Sequence, residues 1–176
     1  MDYDFGDQYL ILWQARTPGP VAHVRNYEAT GKRYRQIPVF LDDVWIQQAR
    51  MRLLVVAYVD DNPCIIVSQA FMDLPRDLRD AGIWHEVGHV HFEHMLTTDC
   101  LDQDALRAAR LLAIRSDRVW DKETEADGFA VRQVGKDAVV AFLSFVLRTR
   151  PIGGSLNDAG SRELELRIAT VRALDD

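Results

Sequence analysis

Cysteine and long hydrophobic runs are both scarce in this chain. Its 176 residues include two cysteines, Cys64 and Cys100, and their spacing matches no recognised metal-binding pair. We expect both thiols to be reduced and partly buried, as in a cytosolic protein. The longest apolar runs, residues 53–59 and 138–142, are far shorter than the roughly 20 residues that a membrane-spanning helix needs. The sequence therefore predicts no membrane span.

Positive charge is scarce as well. The chain has 21 lysines and arginines against 27 aspartates and glutamates, which gives a net charge of −6, and no basic stripe stands out. This balance disfavours a nucleic-acid partner, because such proteins neutralise phosphates with clustered positive charge. The first residues have neither the positive stretch nor the apolar stretch of a secretory signal peptide. We therefore expect a cytoplasmic protein that binds no nucleic acid.

The order of the predicted elements indicates one α+β domain over residues 1–176. Strands are predicted at 9–13, 21–24, 37–41, 53–59 and 64–68, with the last two joined as a hairpin through residues 60–63. Helices are predicted at 75–96, 103–114, 122–134, 137–148 and 158–173. We expect a small mixed or antiparallel N-terminal sheet, then the helix at 75–96 and a mainly helical C-terminal half. The sequence leaves the oligomeric state open.

The pattern His-Glu-x-x-His at residues 85–89 is the most informative motif in the chain. On a helix, His85 and His89 lie on one face, one turn apart, so both imidazoles can reach one metal ion. Glu86 can reach a water molecule on that ion, and Zn²⁺ is the expected occupant because catalytic zinc keeps one open position. Asp73 is a possible cap for this helix. Gly88 lowers helix stability by roughly 1 kcal/mol, which indicates that another element packs closely there.

A third metal ligand must come from elsewhere in the chain. The extended motif HExxHxxGxxH is excluded, because Phe92 and Met95 stand where its glycine and third histidine would be. Glu123 offers a carboxylate instead, near the start of a helix that we expect Asp121 to cap and Gly135 to end. Four residues later Asp127 faces the same way, and we expect it to accept a hydrogen bond from His85. The alternative is an ordinary acidic first turn favoured by the helix dipole.

The chain resembles the gluzincin metallopeptidases, and within them the CaaX prenyl protease and HtpX family with its soluble minigluzincins. The motif at 85–89, His94, the segment Glu123-Thr124-Glu125-Ala126-Asp127 and Gly135 carry this resemblance, which covers roughly residues 50–172. It implies a zincin-like fold and a zinc endopeptidase acting on polypeptides, with His85, His89 and Glu123 as ligands and Glu86 as the base. A second likeness, through residues 123–130, is to the ImmA and IrrE type of regulatory peptidase.

Two further roles are predicted, a strand that holds the substrate and a donor to the oxyanion. Such peptidases hold substrate along an edge strand, and residues 53–59 or 64–68 can serve. They also need a donor for the oxyanion, commonly a downstream histidine or tyrosine, but no histidine follows His94 and no tyrosine follows Tyr58. We therefore assign this catalytic role first to Arg167 and second to Arg162, although both also fit a solvated helix face. A non-catalytic zinc-binding scaffold stays possible, but it would not need Glu86.

Overall fold

The computed structural model describes residues 2–5, 8–11, 22–25, 36–43, 46, 53–59, 62–94, 117–149 and 155–174. These residues form an α+β fold, as the sequence predicts. The chain divides into two compact units. The strand unit comprises Met1–Leu74 and Glu93–Leu112, and the helical unit comprises Pro75–Phe92 and Ala113–Asp176. One domain over residues 1–176 stays a prediction.

The strand unit contains a mixed six-stranded sheet. Its strands are β1 (Asp2–Phe5), β2 (Gln8–Ile11), β3 (Ala22–Arg25), β4 (Gln36–Leu41), β5 (Leu54–Val59) and β6 (Asn62–Val67). They are ordered β1-β2-β3-β4-β6-β5. Strands β4 and β6 pair in parallel, and the other neighbours pair antiparallel. Strand β5 is thus an edge strand among the described residues, whereas β6 is internal and offers no free edge to a substrate.

The predicted hairpin of β5 and β6 is confirmed, with a tighter turn than expected. Val59 pairs with Asn62, and Pro63 lies inside β6 opposite Tyr58. Strand β6 is buried from Pro63 to Val67, which agrees with its nearly continuous apolar run. On one face of the sheet, a cluster of Ile46, Cys64 and Ile66 packs with Phe40 and Val55. Cys64 is buried, and Cys100 lies outside the described residues.

Five helices have described bounds: α1 (Gln69–Met72), α2 (Arg76–His91), α3 (Asp117–Val134), α4 (Lys136–Arg148) and α5 (Ser155–Ala173). The short helix α1, which the sequence did not predict, belongs to the strand unit. The hydroxyl of its N-cap residue, Ser68, accepts a hydrogen bond from the Phe71 backbone. The predicted helix at 103–114 lies outside the described residues.

Two predicted caps are wrong and one predicted helix end is right. Asp73 is the C-cap of α1, and α2 follows Pro75 without a side-chain cap. Asp121 lies inside α3, which begins at Asp117. Gly135 ends α3 as predicted: its N–H donates to the Val131 carbonyl at 2.9 Å. Its φ of +86° is one that glycine adopts without the strain a side chain would impose.

The core of the helical unit is formed by all four of its helices. Helix α2 contacts α3 and α4, and α5 contacts both α3 and α4. Trp84 of α2 is buried, and its ring lies 6.1 Å from that of Phe129 on α3, so Trp84 is a core residue. Within the described part of the chain, no helix combines the length and the apolar character that crossing a membrane requires.

Candidate metal centre

Helix α2 brings the two motif histidines together. The Nε2 atoms of His85 and His89 lie 3.1 Å apart, and their rings are nearly perpendicular at 87°. His85 is buried and His89 is half-buried. This arrangement follows from the spacing of four residues, which places both side chains on one helical face. The described helix therefore directs two imidazole nitrogens at the same point.

Gly88 allows α3 to come close enough to complete the group. A Cβ atom placed on Gly88 would lie 2.9 Å from Ala126 Cα and 3.0 Å from the Ala126 carbonyl oxygen. Helices α2 and α3 therefore meet backbone against backbone at this point, and the close packing that the sequence indicated at Gly88 is confirmed. Glu123 lies one turn before Ala126 on α3, so the same contact carries its carboxylate toward the histidines.

The carboxylate of Glu123 reaches both histidines. Its Oε2 lies 3.4 Å from His85 Nε2, and its Oε1 lies 3.4 Å from His89 Nε2. One ligand atom from each of the three residues falls within 4.8 Å of the others, a grouping that can hold a metal ion. The structure thus brings together the three residues that the sequence predicts as ligands.

Asp127 lies behind His85 and forms the hydrogen bond that the sequence predicts. The Nδ1 of His85 lies 2.8 Å from Asp127 Oδ1, and Asp127 is buried, with 1% of its surface exposed. A carboxylate that accepts the Nδ1–H of an imidazole leaves Nε2 with its lone pair facing away. The Nε2 atom of His85 is thereby directed toward His89 and Glu123.

Arg167 of α5 lies against the two carboxylates. Its Nε and Nη2 donate to Asp127 Oδ2 and Oδ1, each at 2.7 Å, and its Nη1 donates to Glu123 Oε2 at 2.6 Å. The sequence predicted this side chain as a donor to a substrate oxyanion, whereas the described guanidinium donates to the protein's own acids. The pattern of α5 contains a signal for such burial, because Arg167 falls within the stripe of Leu164, Ile168 and Val171.

The charges of this cluster shift one another's pKa values. Burial disfavours a charged His85, but the charge and hydrogen bond of Asp127 outweigh burial and raise the pKa of His85 to about 10. Burial would raise the pKa of Glu123 and Asp127, yet the nearby Arg167 and His85 hold both pKa values below their usual range. Burial would lower the pKa of Arg167, and the two carboxylates raise it instead. The acids are therefore ionised at neutral pH.

The remaining predicted residues differ in their placement. Glu86 follows His85 on α2 and is buried, with 7% of its surface exposed, and Glu125 is exposed. His91 is half-buried, and its ring lies 4.8 Å from that of Phe129. His94 is buried and belongs to the strand unit. Arg162, the second candidate for the oxyanion, is exposed on α5.

The chain matches no protein-family model, no curated protein and no solved structure.

Proposed function

We propose that the protein is a zinc-dependent metalloendopeptidase of the gluzincin type. The observation that carries this proposal is the convergence of His85, His89 and Glu123 from two helices, with Glu86 adjacent to the first ligand. Two imidazoles and a carboxylate are a ligand set of catalytic zinc, which leaves one coordination position open. The motif at 85–89 and the segment at 123–127 support the same assignment through the family resemblance.

The distances between the ligand atoms are close to those of a zinc site. With bonds of about 2.0–2.2 Å, two ligands of a tetrahedral zinc ion are roughly 3.3–3.5 Å apart. The nitrogens of His85 and His89 are 3.1 Å apart, Glu123 Oε2 lies 3.4 Å from His85 Nε2, and Glu123 Oε1 lies 3.4 Å from His89 Nε2. One ligand atom from each residue lies within 4.8 Å of the others, so a single Glu123 oxygen needs only to move toward the second histidine to complete the set. The hydrogen bond from His85 to Asp127 supplies the supporting contact that metal-binding histidines need.

Zinc held by these residues would polarise a peptide carbonyl and make a water molecule acidic enough to attack it near neutral pH. Glu86 takes the proton of the attacking water and then delivers it to the leaving nitrogen of the peptide. Asp127 holds His85 in the tautomer that binds metal. The buried position of Glu86 limits the water around the carboxylate, which strengthens its interactions with the reacting groups.

The proposed substrate is a polypeptide in an extended conformation. The family resemblance implies a substrate held by strand addition, which binds a peptide through main-chain hydrogen bonds with little demand on its sequence. This binding mode suits a general endopeptidase and also a regulatory peptidase of the ImmA and IrrE type that cleaves a repressor. A cytoplasmic location and the lack of a nucleic-acid partner stay predictions from the sequence.

The test compares native protein with Glu86→Gln, and uses Glu125→Gln as a matched control, because Glu125 is an exposed glutamate on α3. Zinc content is measured by atomic emission, and hydrolysis is measured on an unfolded polypeptide. We expect one zinc ion per chain in all three proteins. Hydrolysis should fall on the order of 10²–10⁴-fold in Glu86→Gln alone, since general acid–base catalysis contributes about that much.

The result also separates an enzyme from a zinc-binding scaffold. If all three proteins bind zinc and none cleaves any unfolded polypeptide, the scaffold alternative is favoured and the peptidase proposal fails. If native protein binds no zinc and a chelator leaves its unfolding unchanged, the metal site itself is refuted.

A further inference from the structure

Arg167 reaches the candidate centre from α5, a helix that supplies none of the three proposed ligands. Its side chain is buried, with 7% of the residue exposed. Each of its three nitrogens donates to a carboxylate: Nε and Nη2 to Asp127 at 2.7 Å, and Nη1 to Glu123 Oε2 at 2.6 Å. Three of the five N–H groups of this guanidinium are thus donated to the protein's own carboxylates.

The two bonds to Asp127 fix the plane of the guanidinium. A carboxylate that accepts from two nitrogens of one arginine forms a bidentate pair, which is both strong and geometrically specific. Asp127 is itself held by the Nδ1 of His85 at 2.8 Å. With its plane fixed, the two N–H groups of Nη1 point in fixed directions, and Glu123 Oε2 accepts one of them. Arg167 thus ties the orientation of Glu123 to that of His85.

We infer that Arg167 is a positioning residue that makes Glu123 a one-oxygen ligand. This inference rests on the proposed zinc site. Arg167 engages Oε2 and leaves Oε1, which lies 3.4 Å from His89 Nε2, as the oxygen free to bind the metal. A carboxylate that bound through both oxygens would fill the coordination position that a catalytic zinc ion keeps for water. Arg167 therefore preserves the open position by engaging the second oxygen.

This role depends on the fixed, planar arrangement of the guanidinium N–H donors and not on the charge alone. A lysine ammonium is a single point charge on a flexible stem, so it cannot hold Asp127 with two parallel bonds and also donate to Glu123 from a fixed plane. The variant Arg167→Lys retains the charge but removes the planar arrangement of donors, and Arg167→Met removes both. Arg172→Met is the matched control, because Arg172 is an exposed arginine on the same helix.

The test measures metal binding in the full chain without relying on catalysis. Zinc affinity is determined by competition with a chromophoric chelator, and coordination is followed by the visible absorption of Co²⁺-substituted protein, which weakens as the coordination number rises. We expect zinc affinity to fall about 10–100-fold in Arg167→Lys and Arg167→Met, as on loss of other groups that orient metal ligands. Their cobalt absorption should also weaken, while Arg172→Met matches native protein in both measurements.

The possible outcomes separate this inference from the proposed function. If native protein binds one zinc ion and both Arg167 variants keep its affinity and cobalt spectrum, the positioning role is overturned and the zinc site stands. Rescue by Arg167→Lys would show that charge suffices. A loss of affinity with an unchanged cobalt spectrum would show that the coordination number does not depend on Arg167. Either result would overturn the one-oxygen assignment. If native protein binds neither metal, both proposals fall. Should circular dichroism show Arg167→Met to be unfolded, Arg167→Lys decides by the same criteria.

Discussion

The substitution Gly88→Ala would test how the two metal-binding helices are brought together. The added Cβ would lie 2.9 Å from Ala126 Cα, whereas ordinary contacts begin at 3.4 Å, so the backbones must separate by 3.4 − 2.9 = 0.5 Å. The clashing atoms belong to the backbone of α3, and no side-chain rotation can relieve the contact. Because Glu123 lies on α3 one turn before Ala126, this separation also moves the third ligand away from the histidines.

The expected loss of stability comes from two opposing effects. Overpacking a close contact costs about 1–3 kcal/mol, while replacing a helical glycine by alanine contributes about 1 kcal/mol. The net effect on the free energy of unfolding is a loss of roughly 0–2 kcal/mol. A ligand shift of about 0.5 Å exceeds the ±0.2 Å tolerance of metal–ligand distances. We therefore expect zinc affinity to fall on the order of tenfold or more, as it does when ligand orientation is disturbed.

The matched control is Gly128→Ala on α3. Among the described residues, the new Cβ there would meet only Arg132 Nη1, at 3.9 Å, so the substitution should raise stability by about 0.5–1 kcal/mol and leave zinc binding unchanged. Urea unfolding of the chelator-treated proteins measures stability, and chelator competition measures zinc affinity. If Gly88→Ala matches the control in both measurements, the close approach at Ala126 does not hold the centre together and our reasoning fails.

Three further predictions follow from the same cluster. Asp127→Asn should weaken zinc binding about 10–100-fold, as measured by chelator competition, and native affinity in this variant would show that Asp127 does not support His85. Chelation of a zinc-saturated sample should lower its thermal midpoint, because a ligand at 100 times its Kd stabilises the native state by about 2.7 kcal/mol; an unchanged midpoint would mean that no stabilising metal was bound. In zinc-free protein, the raised pKa of His85 contributes stability that is complete below its usual value of 6.5 and is lost as pH rises through about 10. The lowered pKa values of Glu123 and Asp127 contribute stability that is complete above 4.5 and is lost as pH falls through their folded values. Urea unfolding across pH should therefore be hardest between about 4.5 and 6.5, and a flat profile would contradict the ion cluster.

The sequence predicts much of the described fold because many of the described strands and helices have strong secondary-structure patterns. Strands β4 to β6 and helices α2 to α5 all overlap predicted elements, and β5 and β6 are rich in the β-branched residues that favour strands. Strand β1 was missed because Asp2 and Asp4 disfavour a strand locally, although pairing with β2 overrides that preference. The start of α3 was placed too late because Asp121 is a good capping residue, whereas the helix begins one turn earlier, at Asp117.

The candidate site was predictable where short spacing determines geometry. The spacing of four residues places His85 beside His89 on α2. The same spacing places Glu123 and Asp127 on one face of α3, independently of the rest of the fold. Arg167 was recognised as important, but its role was not predictable, because the register between α5 and α3 depends on tertiary packing. The structure shows the guanidinium bonded to Asp127 and Glu123, so its formal charge lies within the cluster of acids.

The most direct test of the account is anomalous diffraction at the zinc absorption edge, on crystals of native protein grown with Zn²⁺. We predict one zinc peak per chain, bonded to the Nε2 atoms of His85 and His89 and to one oxygen of Glu123, with Arg167 still bonded to the other oxygen. A zinc ion bound by the two imidazoles while Glu123 turns away from it, or no zinc peak at this position, would contradict the account.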